Sequence, residues 1–235
     1  MFGSYRAAHE IEGMRMRALA AKVMTGQLDA SSSRVRAELR RRSIRYHLEV
    51  DVAGHMASFA GTLARMYDDA VFVLPIRDCF SWLDSAVEQL LQFDRAGRTR
   101  DAFYEAKYLR HCDVFTSHEA VLEDAGLIPI AAWLQGWADS NERVLGSVPP
   151  ERLLVVRTED LDDSVEALAR FADVPAPTLR PVHANRNAAR SGLLADVSPD
   201  FVLEQAQEHC GSLMERFWGP DWCELRTRLP SRPTP

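Results

Sequence analysis

Residues 70–85, AVFVLPIRDCFSWLDS, decide how this chain is read. A short apolar run over residues 70–74 stops at Arg77-Asp78 and gives way to helix-forming sequence that carries Ser85. Apolar runs without alternation suit the strands of a parallel sheet, which are covered on both faces. The spacing therefore predicts a buried strand, a loop bearing Arg77, and Ser85 about two turns into the next helix. An Arg at such a place suits an anion. Its planar donor fork matches a phosphate bidentately, and a helix start adds unpaired N–H groups and a favourable dipole. Taken alone, Arg77 reads better as a surface partner of Asp78, and Ser85 as an ordinary helix serine.

Working outward, His55 lies 22 residues before Arg77, after a turn at residues 51–54. Residues 56–67 read as a crossover helix with Phe59, Leu63 and Met66 inward, and residues 46–50 as a short strand before the turn. Residues 7–24 place Ile11, Met14, Leu19 and Val23 at helical intervals, and Gly26 is expected to end that helix. Residues 34–45 carry many arginines and read as an exposed helix with a solvated face. Downstream, residues 80–93, 102–125 and 129–145 read as helices broken at Gly97 and Gly126. Pro149-Pro150 precedes a second buried strand at residues 153–156, and residues 164–172 are helical. A Pro-punctuated linker over residues 174–181 leads into an irregular loop over residues 183–192 with Asn185, Arg186, Asn187 and Arg190. A long helix over residues 199–218 closes the domain. Strands alternating with helices give an α/β class, a three-layer parallel sheet with helices on both faces. One domain is expected over residues 1–228, with a disordered tail at 229–235.

Composition narrows the function. The chain has 235 residues, 46% of them hydrophobic, enough for one sizeable core, and a net charge of −6. That balance gives no global attraction to nucleic acid or anionic membrane, so anion binding must be local. The four cysteines, Cys79, Cys112, Cys210 and Cys223, show no metal-ligand spacing and read as intracellular thiols. No apolar run approaches the roughly 20 residues that span a bilayer, and no signal-like segment opens the chain. A cytoplasmic protein without membrane contact is expected.

The order of landmarks resembles the sulfotransferases that use 3′-phosphoadenosine 5′-phosphosulfate. Members show a His-containing turn, a helix, an apolar strand, R-[DN]-x6-S, a long helical insert with Trp, and a second strand closing on Glu-Asp-Leu. Here these read as His55, residues 56–67, residues 71–74, Arg77 to Ser85, Trp133 and Trp137, and residues 153–156 followed by Glu159-Asp160-Leu161. The resemblance covers about residues 9–173 and implies a P-loop-like sulfotransferase architecture. It further implies sulfuryl transfer from that nucleotide, without a metal, to a hydroxyl or amine of a small-molecule or glycan acceptor.

The same resemblance supplies residue roles. Arg77 and Ser85 match the pair that holds the donor's 3′-phosphate. His55 falls where one branch keeps its general base, and a near-neutral imidazole suits proton abstraction; a structural His at a helix start is the competing reading. Glu10 is the rival base, because other branches use a Glu in that region. A C-terminal Arg-Lys-Gly that meets the 3′-phosphate in one branch is absent, and Arg186 and Arg190 could stand in. Arg157-Thr158 replaces the Tyr that often precedes Glu-Asp and meets the adenine. Trp133 and Trp137, four apart on one helix face, read as core.

One departure is larger. The family opens on a strand and a Gly/Ser/Thr-rich phosphate loop, and no such loop occurs in these 235 residues. Three strands are found by this reading, which would leave an unpaired apolar edge. An additional strand and loop upstream of Met1 are expected, since residues 3–6 run directly into helix-like sequence; a rearranged sheet without donor activity is the alternative.

Overall fold

The computed structural model describes residues 6–95, 100–109, 114–179 and 190–231. Its regular elements in chain order are β1 (Ala7–His9), α1 (Gly13–Met24), α2 (Ser33–Tyr46), β2 (Val50–Val52), α3 (Ala60–Met66), β3 (Phe72–Ile76), α4 (Cys79–Arg95), α5 (Ala102–Tyr104), α6 (Ala120–Asp124), α7 (Ile130–Ser147), β4 (Leu153–Arg157), α8 (Val165–Phe171) and α9 (Pro199–Trp218). The result is a helix-rich α/β protein. Two parallel two-stranded sheets, β1–β2 and β3–β4, are formed by the described residues. The chain divides into two compact units, residues 1–76 with 140–184 and residues 77–139 with 185–235.

The first unit holds both sheets. In one, Ala7 pairs with Val50 and His9 with Val52. In the other, Phe72 pairs with Leu153 and Ile76 with Arg157, so Arg77 follows directly from the carboxyl end of β3. Met16, Leu19 and Ala20 of α1 are buried, as are Val35 and Leu39 of α2. A 3-10 segment, Gly54–Phe59, packs on α1 and carries His55. Ala60, Val144 and Val148 form a small apolar cluster with Phe72, Leu74 and Leu153 against it. Arg152 fastens the approach to β3. Its guanidinium donates to the carbonyls of Ala64 at 2.7 Å, Tyr67 at 2.9 Å and Asp68 at 3.0 Å. It thereby satisfies acceptors that the end of α3 leaves open.

The second unit is helical. Phe80, Leu83, Val87 and Leu90 recur at three- and four-residue steps along α4 and are buried. Residues Val202, Ala206, Cys210, Leu213 and Met214 do the same along α9, which packs on α4. Trp222, in a closing 3-10 turn, stacks on Phe80 with ring centroids 6.0 Å apart. Trp133 and Trp137 of α7 are buried core residues, in keeping with their spacing.

Several sequence expectations are corrected. The helix expected over residues 7–24 begins only at Gly13, because Ala7–His9 form a strand and Glu10 and Glu12 adopt positive φ. A fourth strand is therefore present. The strand expected at residues 46–50 shifts to Val50–Val52, since α2, capped by Ser32, runs on to Tyr46 and ends at a left-handed His47. The first third of the helix expected over residues 56–67 is 3-10. The single helix expected over residues 102–125 is broken into α5, a π turn at Glu105–Leu109, a 3-10 turn at Ser117–Glu119 and α6. The Thr116/Glu119 capping box starts a new helix there.

Arg152→Met should lower the unfolding free energy by about 1–2 kcal/mol, because partly buried carbonyls lose a charged donor. Urea denaturation followed by circular dichroism checks this, with an unchanged m-value expected.

Candidate functional site

The first set of site residues is built on α4. Asp78, 1% exposed, caps the helix by accepting from the Ser81 amide at 2.8 Å. Its other oxygen accepts from Arg228 Nη1 at 2.7 Å. Both oxygens of Asp78 are thereby engaged, which removes the Arg77–Asp78 surface pair as an account of Arg77. The Arg77 carbonyl accepts from Trp137 Nε1 at 3.2 Å, which fixes the loop backbone from α7. Among the described residues, neither the Arg77 guanidinium nor the Ser85 hydroxyl has a hydrogen-bond partner.

Helical spacing puts Arg77, Ser81, Asp84, Ser85 and Glu88 along one stripe. Asp84 and Glu88 are buried and hold the segment that precedes α9. Arg190 Nη1 pairs with Asp84, while Glu88 accepts from the Ser191 amide at 2.8 Å, the Ser191 hydroxyl at 2.7 Å and the Gly192 amide at 2.9 Å. Burial pushes the Asp84 carboxyl above its usual range, against the opposing pull of Arg190 and Arg77. Burial pushes Glu88 upward as well, but the Ser191 and Gly192 donors outweigh it and hold this carboxyl low. Arg190 is thus placed beside the Arg77–Ser85 stripe. Arg186 lies outside the described residues.

Neither acid was singled out from sequence. Their signal was available as Asp84 and Glu88 four apart, next to the apolar positions Leu83 and Val87 of the same helix, where polar groups at buried positions require partners.

The second set lies at the carboxyl end of the β1–β2 pair. The Glu10 amide continues the ladder by donating to the Val52 carbonyl at 2.9 Å. Glu10 then turns with φ 52° and leaves its side chain exposed. His55 follows β2 by three residues and is 1% exposed, enclosed between the 3-10 segment and α1. Burial lowers its pKa; Glu10 and Asp51 pull it up, and Arg17 and Arg42 push it down. The imidazole is consequently neutral at pH 7. The structure brings Glu10 and His55 together in the first unit, and Arg77, Ser85 and Arg190 together in the second. The Glu-Asp-Leu motif follows β4, where Arg157 Nε bonds Asp160 at 2.7 Å. Among the described residues, no group of three or more His, Cys, Asp or Glu side chains is arranged to hold a metal ion. No described helix is long and apolar enough to cross a membrane.

A family model described as a sulfotransferase domain matches residues 3–190. That span contains both sets of residues. Searches of curated proteins and of solved structures returned no match.

The lowered pKa of His55 has a stability consequence. The unfolded chain takes up a proton near pH 6.5 while the folded His55 resists it, so stability rises with pH across that region. The contribution of His55 should be complete above pH 6.5 and lost as pH falls toward its lower folded-state pKa. His55→Gln should flatten this part of the profile of melting temperature between pH 7 and pH 5. An unchanged slope would contradict the enclosed, neutral imidazole.

Proposed function

Because the chain belongs to the sulfotransferase family, we propose that it transfers a sulfuryl group from 3′-phosphoadenosine 5′-phosphosulfate to a hydroxyl or amine of a small acceptor. The observation that carries this reading is the α4 stripe. The Arg77 guanidinium and the Ser85 hydroxyl have no hydrogen-bond partner among the described residues, and they lie before and along the first turns of a helix whose capping acid is already engaged. A phosphate there would receive a bidentate guanidinium, a hydroxyl and the favourable end of the helix dipole. Arg190, seated by Asp84, adds a second positive charge beside the same helix. In this reading the stripe holds the 3′-phosphate of the nucleotide.

Transfer breaks the bond between sulfur and the bridging phosphate oxygen and forms one between sulfur and the acceptor atom. The acceptor's proton leaves to a base, and adenosine 3′,5′-bisphosphate departs. Glu10 is assigned that proton, because its carboxylate is exposed whereas His55 is enclosed. A general base must come within hydrogen-bond reach of the proton it removes. His55 then acts from behind, as a neutral neighbour of Glu10. The two parallel pairs belong, on the same reading, to one three-layer parallel sheet, since parallel strands are found in sheets covered on both faces.

Adenosine 3′,5′-bisphosphate should raise the melting temperature of the chain, as any ligand selective for the folded state does. Arg77→Ala should abolish most of that rise, since a charge-assisted bidentate contact is worth about 2–3 kcal/mol. Equal shifts in both proteins would remove Arg77 from the clamp. In an assay with labelled donor, Glu10→Gln should lower kcat by about 10²–10⁴-fold with little change in nucleotide affinity. A larger loss in His55→Ala than in Glu10→Gln would transfer the role to His55.

A further inference from the structure

The turn that carries Glu10 is held from one side by α2. Arg42, 2% exposed, donates from Nη2 to Asp51 Oδ1 at 2.8 Å and from Nη1 to Asp51 Oδ2. The same guanidinium reaches the Ile11 carbonyl from Nε and Nη2, each at 3.3 Å. Arg41 pairs with Glu12, and Tyr46 Oη donates to Glu12 Oε1 at 3.1 Å. Ile11 and Glu12 are the two residues after Glu10, and Asp51 is the central residue of β2. One planar fork therefore spans the turn and the strand.

The geometry of the turn calls for such a fastening. Glu10 and Glu12 have φ of 52° and 53°, a left-handed conformation uncommon for residues other than glycine. It persists where the surroundings over-determine it. Left to itself the turn would relax toward ordinary φ and redirect the Glu10 side chain. His55 feels four charged groups here: Glu10 from the turn, Arg17 from α1, Arg42 from α2 and Asp51 from β2.

We propose that the Arg42–Asp51 pair is a positioning device that ties the turn at residues 10–12 to β2 and so sets the place of the Glu10 carboxylate against His55. The catalytic part of this inference rests on the reading of Glu10 as the proton acceptor. Arg42 itself touches neither donor nor acceptor in this scheme. A lysine would keep the charge and lose the fork, because a single ammonium cannot serve Asp51 and the Ile11 carbonyl with the same planar geometry.

The test follows the His55 imidazole by ¹⁵N NMR in the full chain, which needs no activity. Glu10→Gln should lower the His55 pKa in the wild-type background by removing a nearby negative charge. In the Arg42→Lys background the same substitution should shift it by less than half as much, because the released turn no longer holds Glu10 in place. An equal shift in both backgrounds overturns the proposal. Asp51→Asn, isosteric and at a side chain 25% exposed, provides the same comparison if Arg42→Lys does not fold. Labelled-donor kinetics supply the second readout: Arg42→Lys should lower kcat by about tenfold or more with adenosine 3′,5′-bisphosphate affinity unchanged. Full kcat in that variant overturns the positioning role. Absence of sulfuryl transfer in the wild-type chain overturns the proposed function instead, and the NMR comparison then decides the fastening by itself.

Discussion

The head of α4 depends on how one buried carboxylate is compensated. Asp78 is almost wholly removed from water, and an ionised group in that position is tolerated only with close donors. It finds them in the Ser81 amide and in Arg228, a residue 150 positions further along the chain. The closing segment is brought to the same place by Trp222 stacking on Phe80 and by α9, whose Met214 sulfur lies 3.4 Å from the Cys79 amide. A distant arginine thus satisfies the acid that stands beside Arg77. With that need met, Arg77 is not drawn into a local ion pair.

Asp84 and Glu88 show how neighbouring acids on one helix acquire different characters. Both are nearly inaccessible, and burial raises both. Glu88 receives three short neutral donors from Ser191 and Gly192, which stabilise its charge from fixed directions. Asp84 relies on one guanidinium that is about half exposed, and burial prevails. The segment at residues 190–192 is therefore seated chiefly through its backbone and Ser191. Arg190 is held by a single contact next to the stripe that carries Arg77 and Ser85.

Much of this was legible in the sequence because it rests on short-range patterns. The strand, loop and helix of residues 70–85 follow from an unbroken apolar run and Arg-Asp, although the strand is not the fully covered one expected, since Val71 and Val73 are exposed, and the helix over residues 199–218 coincides with α9. β1 was missed for a physical reason: three residues at the surface, ending before two left-handed glutamates, present no alternation to detect. The helical spacing of Ile11 and Met14 was accidental, since Met14 is 88% exposed. The run of arginines in α2 reads in sequence as a solvated face, yet Arg41 and Arg42 are committed to Glu12, Asp51 and the Ile11 carbonyl. The pairings with Glu12 and the Ile11 carbonyl join residues about 30 positions apart and leave no local trace in the sequence. The partners of Asp78 and Glu88 lie more than 100 positions away and were illegible for the same reason.

In the proposed reading, the contrast between Glu10 and His55 shows the limit of judging a base by residue type. Imidazole is the better intrinsic base near neutral pH, and that, with its place in the family resemblance, favours His55. Enclosure reverses the comparison: it lowers the affinity of His55 for a proton and separates the ring from any acceptor in solvent. Glu10 has the weaker intrinsic basicity but an accessible position, reached through a strained turn at the end of a parallel pair. Position within reach of the reacting atom outweighs a favourable intrinsic pKa, because proton transfer has no route without contact. The cost of that position is borne by α2, whose arginine and tyrosine side chains hold the turn in a conformation its own sequence does not favour.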